Sequence, residues 1–477
     1  MKNILYPLFL GICASLALPP IFFLPSLICF ALFINYLHKI STSRAAFKAG
    51  FAFGFGYFVI GLYWISISLF TDKDKFLFLL PFSVIGFPLF FANYIGLATL
   101  ALYRFCPKKQ TVTVEYSLYF ASFFTISEVA RSYLFTGFPW NLIGYSLSSS
   151  LEMLQITSII GIFGLSFLVV FASSLIAAKK IHYSLIIIII TYLFGAYRMS
   201  PTTFTNINLK LVQANIDQKH HFSHKERIEN LYRQMSLSLS GSEADLIIWP
   251  ESSIPYNVAN SDLRTHIAKV IPENTILLAG GDIASNDNYY NSITAINNQG
   301  HILNSYYKNH LVPFGEYIPF REFILIDKIT STIGDLSKGI SLMDMDLAGI
   351  PKFSPLICYE IIFPGQVMQK NSKAKWILNV TNDAWFGKSS GPYQHYYKAR
   401  VRAVEEGVPV IRSANTGISA IIDPYGRELM KLNLGDTGII EGKLPYNIET
   451  YSFFHYYKNL PIICFLLIIS IIGIRRK

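Results

Sequence analysis

Residues 1 to 200 hold one long apolar run after another, and this constrains the chain more than any other feature. A soluble core has no room for so many consecutive uncharged segments of roughly 17 to 25 residues, whereas a bilayer demands them. Seven runs fit, at about 4–18, 21–37, 48–70, 76–104, 114–134, 158–178 and 182–197, and an eighth lies at 459–474. The first is short, is followed by Pro19-Pro20 and mimics a signal peptide, but is read as a retained span. Residues 203 to 458 have the composition of an ordinary soluble domain.

Charge fixes the orientation expected of these spans. The 477-residue chain carries a net charge of +10, which at first suggests a nucleic-acid partner. Residues 203 to 458, however, hold 24 Lys and Arg against 25 Asp and Glu, so the excess lies entirely around the apolar runs. Lipid topology explains that distribution and a phosphate backbone does not. With the N-terminus inside, twelve basic residues fall in inside segments: Lys2, Lys39, Arg44, Lys48, Arg104, Lys108, Lys109, Lys179, Lys180, Arg475, Arg476 and Lys477. Outside segments hold Lys73 and Lys75, offset by Asp72 and Asp74, and Arg198. Seven spans then place residues 203 to 458 outside. The expected division is a membrane domain at 1–200, a soluble domain at 203–450, and a terminal span with a basic tail at 457–477. Four of the five cysteines (Cys13, Cys29, Cys106, Cys464) lie in or beside spans, where a small apolar side chain packs well, and no disulfide framework is implied.

Within the soluble stretch, INLKLVQAN, DLIIWPES, TILLAGGD, NSITAIN, FSPLICYE, WILNVTND, VPVIRSAN and ISAIIDP read as strands. Helices lie between some of them, one marked by Ile228, Leu231, Tyr232 and Met235 at i, i+3, i+4, i+7, another spanning 391–406 and stopped by Gly407. The alternation predicts an α/β layered fold with buried sheets. The apolar segment 317–350, with Phe320, Phe323, Ile324, Leu325 and Ile326, has no clean period and reads as a loop that touches lipid.

Cys358 is the only cysteine of the soluble stretch, and it stands where an apolar strand stops, in SPLICYEIIFPG. A thiol attacks a carbonyl carbon only as thiolate, and an ordinary cysteine is only a few per cent ionised at neutral pH, so it needs a base or a nearby cation. Glu251, in IIWPESSIP, is a candidate base. Lys308, in YYKNHLVPFGEYIP, is a candidate cation for the oxyanion that forms on attack. Taken singly, each has an ordinary structural explanation; what favours chemistry is that all three sit at strand ends in Gly- and Pro-punctuated sequence.

The order Glu, Lys, Cys with WPES, KNHLVPFGEY and CYE resembles the nitrilase, or carbon-nitrogen hydrolase, superfamily over about 205 to 445. With QANIDQKH, LVPFGEYIP, VTNDAWFG, GPYQH and the TGFPWN segment between spans five and six, nearly the whole chain resembles the bacterial apolipoprotein N-acyltransferase family. The resemblance implies an α-helical membrane domain of about eight spans joined to a periplasmic αββα sandwich, in a bacterial inner membrane with both termini cytoplasmic. It further implies a ping-pong acyl transfer from a phospholipid, through a thioester on Cys358, to the α-amine of a diacylglyceryl-cysteine on an apolipoprotein. Glu251 would be general base and Lys308 would stabilise the tetrahedral intermediate. Glu316 and Glu360 match supporting acids and Tyr359 the residue beside the nucleophile. Trp249, Asn382, Trp385 and Phe386 fall in the same motifs as supporting or substrate-binding residues, Trp385 and Phe386 as a mobile lid or as core aromatics. Trp140 in GFPWN reads as an interfacial aromatic. No metal, organic cofactor or nucleic acid is implied, and nothing calls for more than a monomer.

Other charged residues carry less. Glu128 and Arg131 lie at i, i+3 within span five, where an ion pair makes burial tolerable. His220, His221 and His224 lack the further ligands of a metal set and read as a solvated loop. Asn379 heads a glycosylation sequon but falls in an expected buried strand. Two alternatives stay open: a membrane-tethered amidase or nitrilase acting on a small carbon-nitrogen substrate, and a transporter or scaffold whose outer domain only binds. The scarcity of charge within the spans speaks against an ion pathway.

Overall fold

The computed structural model describes residues 2–106, 110–218, 222–285, 288–319, 321–322 and 335–475. His220 and His221, Lys108 and Lys109, Arg476 and Lys477, and Phe320 with residues 323–334 of the expected lipid-touching loop lie outside the described residues. The chain divides into two compact units, one formed by Met1–Ser66, Phe78–Met199 and Ser452–Lys477, the other by Ile67–Leu77 and Ser200–Tyr451.

The first unit is helical. Its main helices are α1 (Lys2–Ser15), α2 (Ile28–His38), α3 (Ser43–Leu62), α4 (Phe87–Phe105), α5 (Val114–Tyr133), α6 (Thr157–Ala177) and α7 (Ile181–Arg198), joined at the end of the chain by a helix over Leu460–Arg475. Among the described residues, four helical stretches are long and apolar enough to cross a bilayer: Ser43–Leu79, Phe82–Phe105, Thr157–Ala177 and Ile181–Arg198. Ile4–Ser15, Leu24–His38 and Leu460–Arg475 are apolar but shorter. The side-chain oxygens of Thr42 and Thr113 cap α3 and α5 by accepting from Ala45 N and Tyr116 N, satisfying donors that the first helical turn leaves open. Helix α1 lies close against α3 because Gly11 and Gly56 present no Cβ to the opposing backbone.

Glu128 and Arg131 are both buried, and each is committed to the segment that follows their helix. Arg131 Nη1 donates to the carbonyls of Phe138 and Trp140, each at 2.6 Å, and Glu128 Oε1 accepts from Ile143 N at 2.8 Å. The sequence pattern suggested a simple pair; here Arg131 holds carbonyls of the irregular GFPWN turn, and Glu128 holds the first backbone N–H of the short helix Ile143–Leu147 that follows it. Trp140 is only 1% exposed, packed on Trp64 at 4.5 Å and Phe138 at 5.8 Å between ring centroids, so its ring fills the helical unit rather than lying in an interfacial belt.

The second unit contains two six-stranded sheets. Strands β1 (Phe204–Gln213), β2 (Leu246–Ile248), β3 (Ile276–Ser285), β4 (Asn288–Ile296) and β5 (Ile302–Tyr307) build the first. The second holds β6 (Met345–Leu347), β7 (Ile350–Ile357), β8 (Trp376–Thr381), β9 (Val410–Ala414), β10 (Ser419–Ile422) and β11 (Glu428–Leu432), and β12 (Gly438–Pro445) returns to the first. The orders are β12-β1-β2-β3-β4-β5 and β11-β10-β9-β8-β7-β6. At the centre of each sheet are three parallel strands, β1-β2-β3 and β7-β8-β9, with antiparallel strands outside them. Leu211, Ile248, Leu278 and Ile293 of one sheet share a core with Ile357, Leu378, Val380 and Ile411 of the other, so the sheets pack face to face.

Helices cover the outer faces. Helix α8 (His224–Ser238) opens with a capping box in which Ser223 and Glu226 satisfy each other's backbone, and Leu231 and Met235 pack with Trp249 and Ile247 of the first sheet. Tyr232, expected on that inward face, is instead 52% exposed, its ring edge-on to His266 of the short helix α9 (Ser261–Ala268), while Gln234 is buried. Helix α10 (Ser390–Glu406) packs against β9 and ends at Gly407 (φ +72°), as the sequence indicated.

Candidate active site

The chemistry-bearing residues stand at the carboxyl ends of the central parallel strands, where an open α/β sheet leaves a crevice. β2 runs directly into Trp249-Pro250-Glu251, β7 into Cys358, β8 into Asn382, and the antiparallel β5 into Lys308. The three side chains proposed from sequence, 50 or more residues apart along the chain, thereby meet in one buried cluster.

Glu251 is 7% exposed, and its carboxylate is fully engaged. Oε1 accepts from Asn291 Nδ2 at 2.8 Å and lies 3.4 Å from Lys308 Nζ, and Oε2 accepts from Asn382 N at 2.8 Å. Its backbone is placed by Gly280 of β3: a Cβ there would come within 2.5 Å of Glu251 Cα and of Pro250 O, so the WPES turn can lie on β3 only over glycine. Lys308 is 1% exposed and donates to Glu316 Oε1 at 2.8 Å. Burial alone would lower its pKa, but the charges of Glu316, Glu251 and Cys358 outweigh that and hold the ammonium well above the ordinary lysine value. Glu316 also takes Asn291 Nδ2 at 3.1 Å and Val312 N at 2.8 Å, so one carboxylate orients the cation and ties down the HLVPFGEY loop. Asn291, in β4, bridges Glu251 and Glu316; nothing in the sequence marked it, because a lone Asn in YYNSIT reads as a strand residue.

Cys358 is 8% exposed and adopts φ +50°, the left-handed region that a Cβ disfavours. Burial pushes its thiol well above the ordinary value, Glu251 and Asp383 push the same way, and Lys308 with a hydrogen bond from Thr381 opposes them. Around this elbow Glu360 acts as a four-way anchor: Oε1 accepts from Tyr306 OH (2.8 Å), Asn309 N (2.7 Å) and His310 N (3.0 Å), and Oε2 from Ile357 N (2.7 Å). It thus locks the Lys308 and Cys358 strand ends to each other. Tyr359 is buried against His310 and Phe363, whose rings stack at 3.7 Å.

Behind the sulfur lies a second polar cluster. His395 Nε2 is 3.1 Å from the Cys358 carbonyl oxygen, its Nδ1 is 2.8 Å from Asp383 Oδ1, and Asp383 Oδ2 accepts from Arg412 Nη2 at 2.7 Å. Burial would raise the Asp383 carboxyl, but Arg412 and His395 bring it down to about 2. Cys358, Asp383 and His395 offer donor atoms within 4.8 Å of one another, though both ring nitrogens already face the Cys358 carbonyl and Asp383. Both residues stood in motifs singled out from the sequence, NDAWFG and GPYQH, without an assigned role.

The remaining candidates lie apart from the sulfur or beside it in different ways. Trp249 is fully buried in the layer between α8 and the first sheet, its indole donating to Ser238 Oγ at 2.7 Å, a structural placement under Glu251. Asn382 holds Glu251 through its backbone and Gln218 through its amide at 2.9 Å. Trp385 and Phe386 lie half-buried in the turn Asp383–Phe386. Trp140 belongs to the helical unit. His224 begins α8 with its ring 6.0 Å from Tyr256, and Asn379 is fully buried, donating to Leu356 O and accepting from Arg412.

A family model described as the apolipoprotein N-acyltransferase N-terminal domain matches residues 10–175, and one described as carbon-nitrogen hydrolase matches residues 209–450. The apolipoprotein N-acyltransferase of Rickettsia prowazekii (strain Madrid E) is 38% identical over 489 residues, covering 98% of this chain and 96% of the relative. That of Rhodopseudomonas palustris (strain ATCC BAA-98 / CGA009) is 37% identical over 484 residues, covering 93% and 90%. A CN-hydrolase superfamily protein from Xanthomonas campestris, solved with an arsenic adduct in its active site, aligns at a TM-score of 0.39 and 17% identity over 50% of this chain and 90% of its own.

Proposed function

The chain belongs to the apolipoprotein N-acyltransferase family, and we propose that it moves a fatty acyl chain from a membrane phospholipid to the N-terminal amine of a diacylglyceryl-modified apolipoprotein, through a thioester on Cys358. Glu251 takes the thiol proton as sulfur attacks the ester carbonyl. The oxygen that becomes negative is met by the Lys308 ammonium, whose charge needs no rearrangement at that moment because Glu316 already holds it. Collapse breaks the carbon–oxygen bond, and Glu251 returns the proton to the glycerol oxygen, releasing lysophospholipid. In the second half the acceptor amine attacks the thioester, Glu251 takes its proton, and the sulfur leaves with that proton as an amide forms. Atoms balance without any cofactor.

The topology follows the same reading: about eight spans, both termini cytoplasmic, residues 203–450 on the periplasmic side of a bacterial inner membrane, a C-terminal span and tail at 457–477, and a monomer as the working unit. Consistent with it, residues 71–75, between spans three and four and expected outside, fall within Ile67–Leu77, which belongs to the same compact unit as the catalytic sheets. A substrate whose ester bond lies at headgroup level explains why hydrolase-type chemistry is attached to so much apolar helix.

The observation that carries the proposal over a tethered amidase is the match to both family models and to acyltransferase relatives along nearly the whole chain. The test is acyl-labelled phospholipid presented to the purified protein: label on protein and lysolipid in equal amounts, then label on an added diacylglyceryl-cysteine peptide, is the expected result. Hydrolysis of small amides with phospholipid left untouched would support the amidase.

A further inference from the structure

We propose that His395 is a positioning residue for the nucleophile, setting the peptide plane that joins Cys358 to Tyr359. A non-glycine residue at φ +50° keeps that conformation only when its surroundings over-determine it. The strand end one residue before it is held by Glu360 through Ile357 N. The Cys358 carbonyl itself is held by His395, whose Nε2 lies 3.1 Å from its oxygen. A carbonyl offers only lone pairs, as does the Asp383 carboxylate, so a hydrogen bond at either ring nitrogen has the imidazole as donor.

The peptide unit is planar and trans, so its N–H points opposite to its carbonyl. Fixing the Cys358 oxygen on His395 therefore aims the Tyr359 amide away from α10 and, with it, fixes the direction in which the Cys358 Cβ leaves the chain. The imidazole is in turn fixed. Nδ1 faces Asp383 Oδ1 at 2.8 Å and Arg412 Nη2 at 3.2 Å, Asp383 Oδ1 also accepts from Thr381 at 3.0 Å, and Arg412 Nε donates to Ile418 O at 3.2 Å. His395, Asp383 and Arg412 are each at most 1% exposed, so water cannot replace a lost contact cheaply. A glycine in the turn before β10 makes room for the arrangement: a Cβ on Gly417 would collide with the Asp383 carboxylate.

This inference rests on Cys358 being the nucleophile, and the experiment separates the two. Three full-length variants are compared with the native protein: His395→Asn, which keeps a polar group toward Asp383 but withdraws the donor; His395→Gln, which can place an amide nitrogen near the Nε2 position; and His395→Phe, which fills the volume without donating. Iodoacetamide alkylation of the peptide bearing Cys358, one of five free cysteines, is followed without lipid, and thioester formation is followed with labelled phospholipid. The amplitude of alkylation counts folded thiol, so partial misfolding changes amplitude while the rate constants still report geometry. Misplacing the sulfur and amide by an ångström predicts thioester formation about 10- to 100-fold slower in the Asn and Phe variants, half-saturating phospholipid changed less than about twofold, and Gln within about threefold of native. Native rates in the Asn or Phe variant, or a Gln variant no faster than Phe, overturn the role of His395. Absence of a thioester in the native protein would instead overturn the reaction.

Discussion

Replacing Glu316 by Gln keeps the size of the side chain and one acceptor oxygen, but removes the charge 2.8 Å from Lys308 Nζ. A hydrogen bond to a charged partner contributes about 1.5–3 kcal/mol. The remaining carboxylate within reach is Glu251, 3.4 Å away. Lys308 then leans on the base: the cation moves off the developing oxyanion, and Glu251, more tightly paired, becomes a poorer proton acceptor. Both effects act on the same step. If about 2 kcal/mol of that interaction is realised in the transition state, thioester formation slows roughly 30-fold. Stopped-flow mixing with a fluorescent phospholipid reads the burst directly, and thermal unfolding in the same detergent checks that the protein is intact. A Glu316→Gln protein that forms thioester at the native rate would refute the idea that Glu316 presets the cation.

Glu251→Gln separates two roles of one carboxylate. Its charge raises the Cys358 thiol, so the midpoint of alkylation by iodoacetamide moves to lower pH, while acyl transfer from phospholipid falls on the order of 100-fold or more for want of a base; an alkylation midpoint that moves upward contradicts this. Gly280→Ala pushes a Cβ into Glu251 Cα and Pro250 O, and a shift of about an ångström in the base predicts a loss approaching 100-fold in thioester formation with the fold retained by circular dichroism. Asp383, at about 2 against an ordinary 3.8, is a depressed carboxylate, so its contribution of about 2 kcal/mol is present in full above about pH 4 and is lost as pH falls toward 2. Melting temperature measured across that window should fall less steeply in Asp383→Asn; an identical slope would place the acid sensitivity elsewhere.

The strands legible in the sequence and those that were not divide by position in the sheets. All eight apolar runs read as strands became β1 to β4 and β7 to β10, the interior strands. The four that went unread, β5, β6, β11 and β12, are the edges. An edge strand is covered on fewer sides, and its side chains record that: Glu428 and Lys431 on β11, or Glu441 and Lys443 on β12, break the apolar run that marks a buried strand.

The site divides similarly. Glu251, Lys308 and Cys358 announce themselves because charge or thiol at the end of an apolar run is anomalous, whereas Asn291 is polar in an unremarkable way and matters only because two strands bring it between two carboxylates. Tyr232 shows the limit of periodicity: its spacing fits the inward stripe, but the neighbouring helix offers it a ring contact at the surface. Glu128 and Arg131 show another, since what they satisfy is an irregular turn and the start of the short helix after it, whose open backbone groups no side-chain pattern announces.

The central claim is that the sulfur of Cys358 transiently carries the acyl chain. Intact-protein mass spectrometry after brief exposure to phospholipid, without acceptor, tests it most directly. The account predicts a mass increase of one acyl group that maps to the peptide bearing Cys358, is released by hydroxylamine or by an acceptor amine, and is lost in Glu251→Ala and Lys308→Ala. An acyl group mapping to any other residue, or acceptor acylated by a protein whose Cys358 has been replaced by Ser, would contradict it.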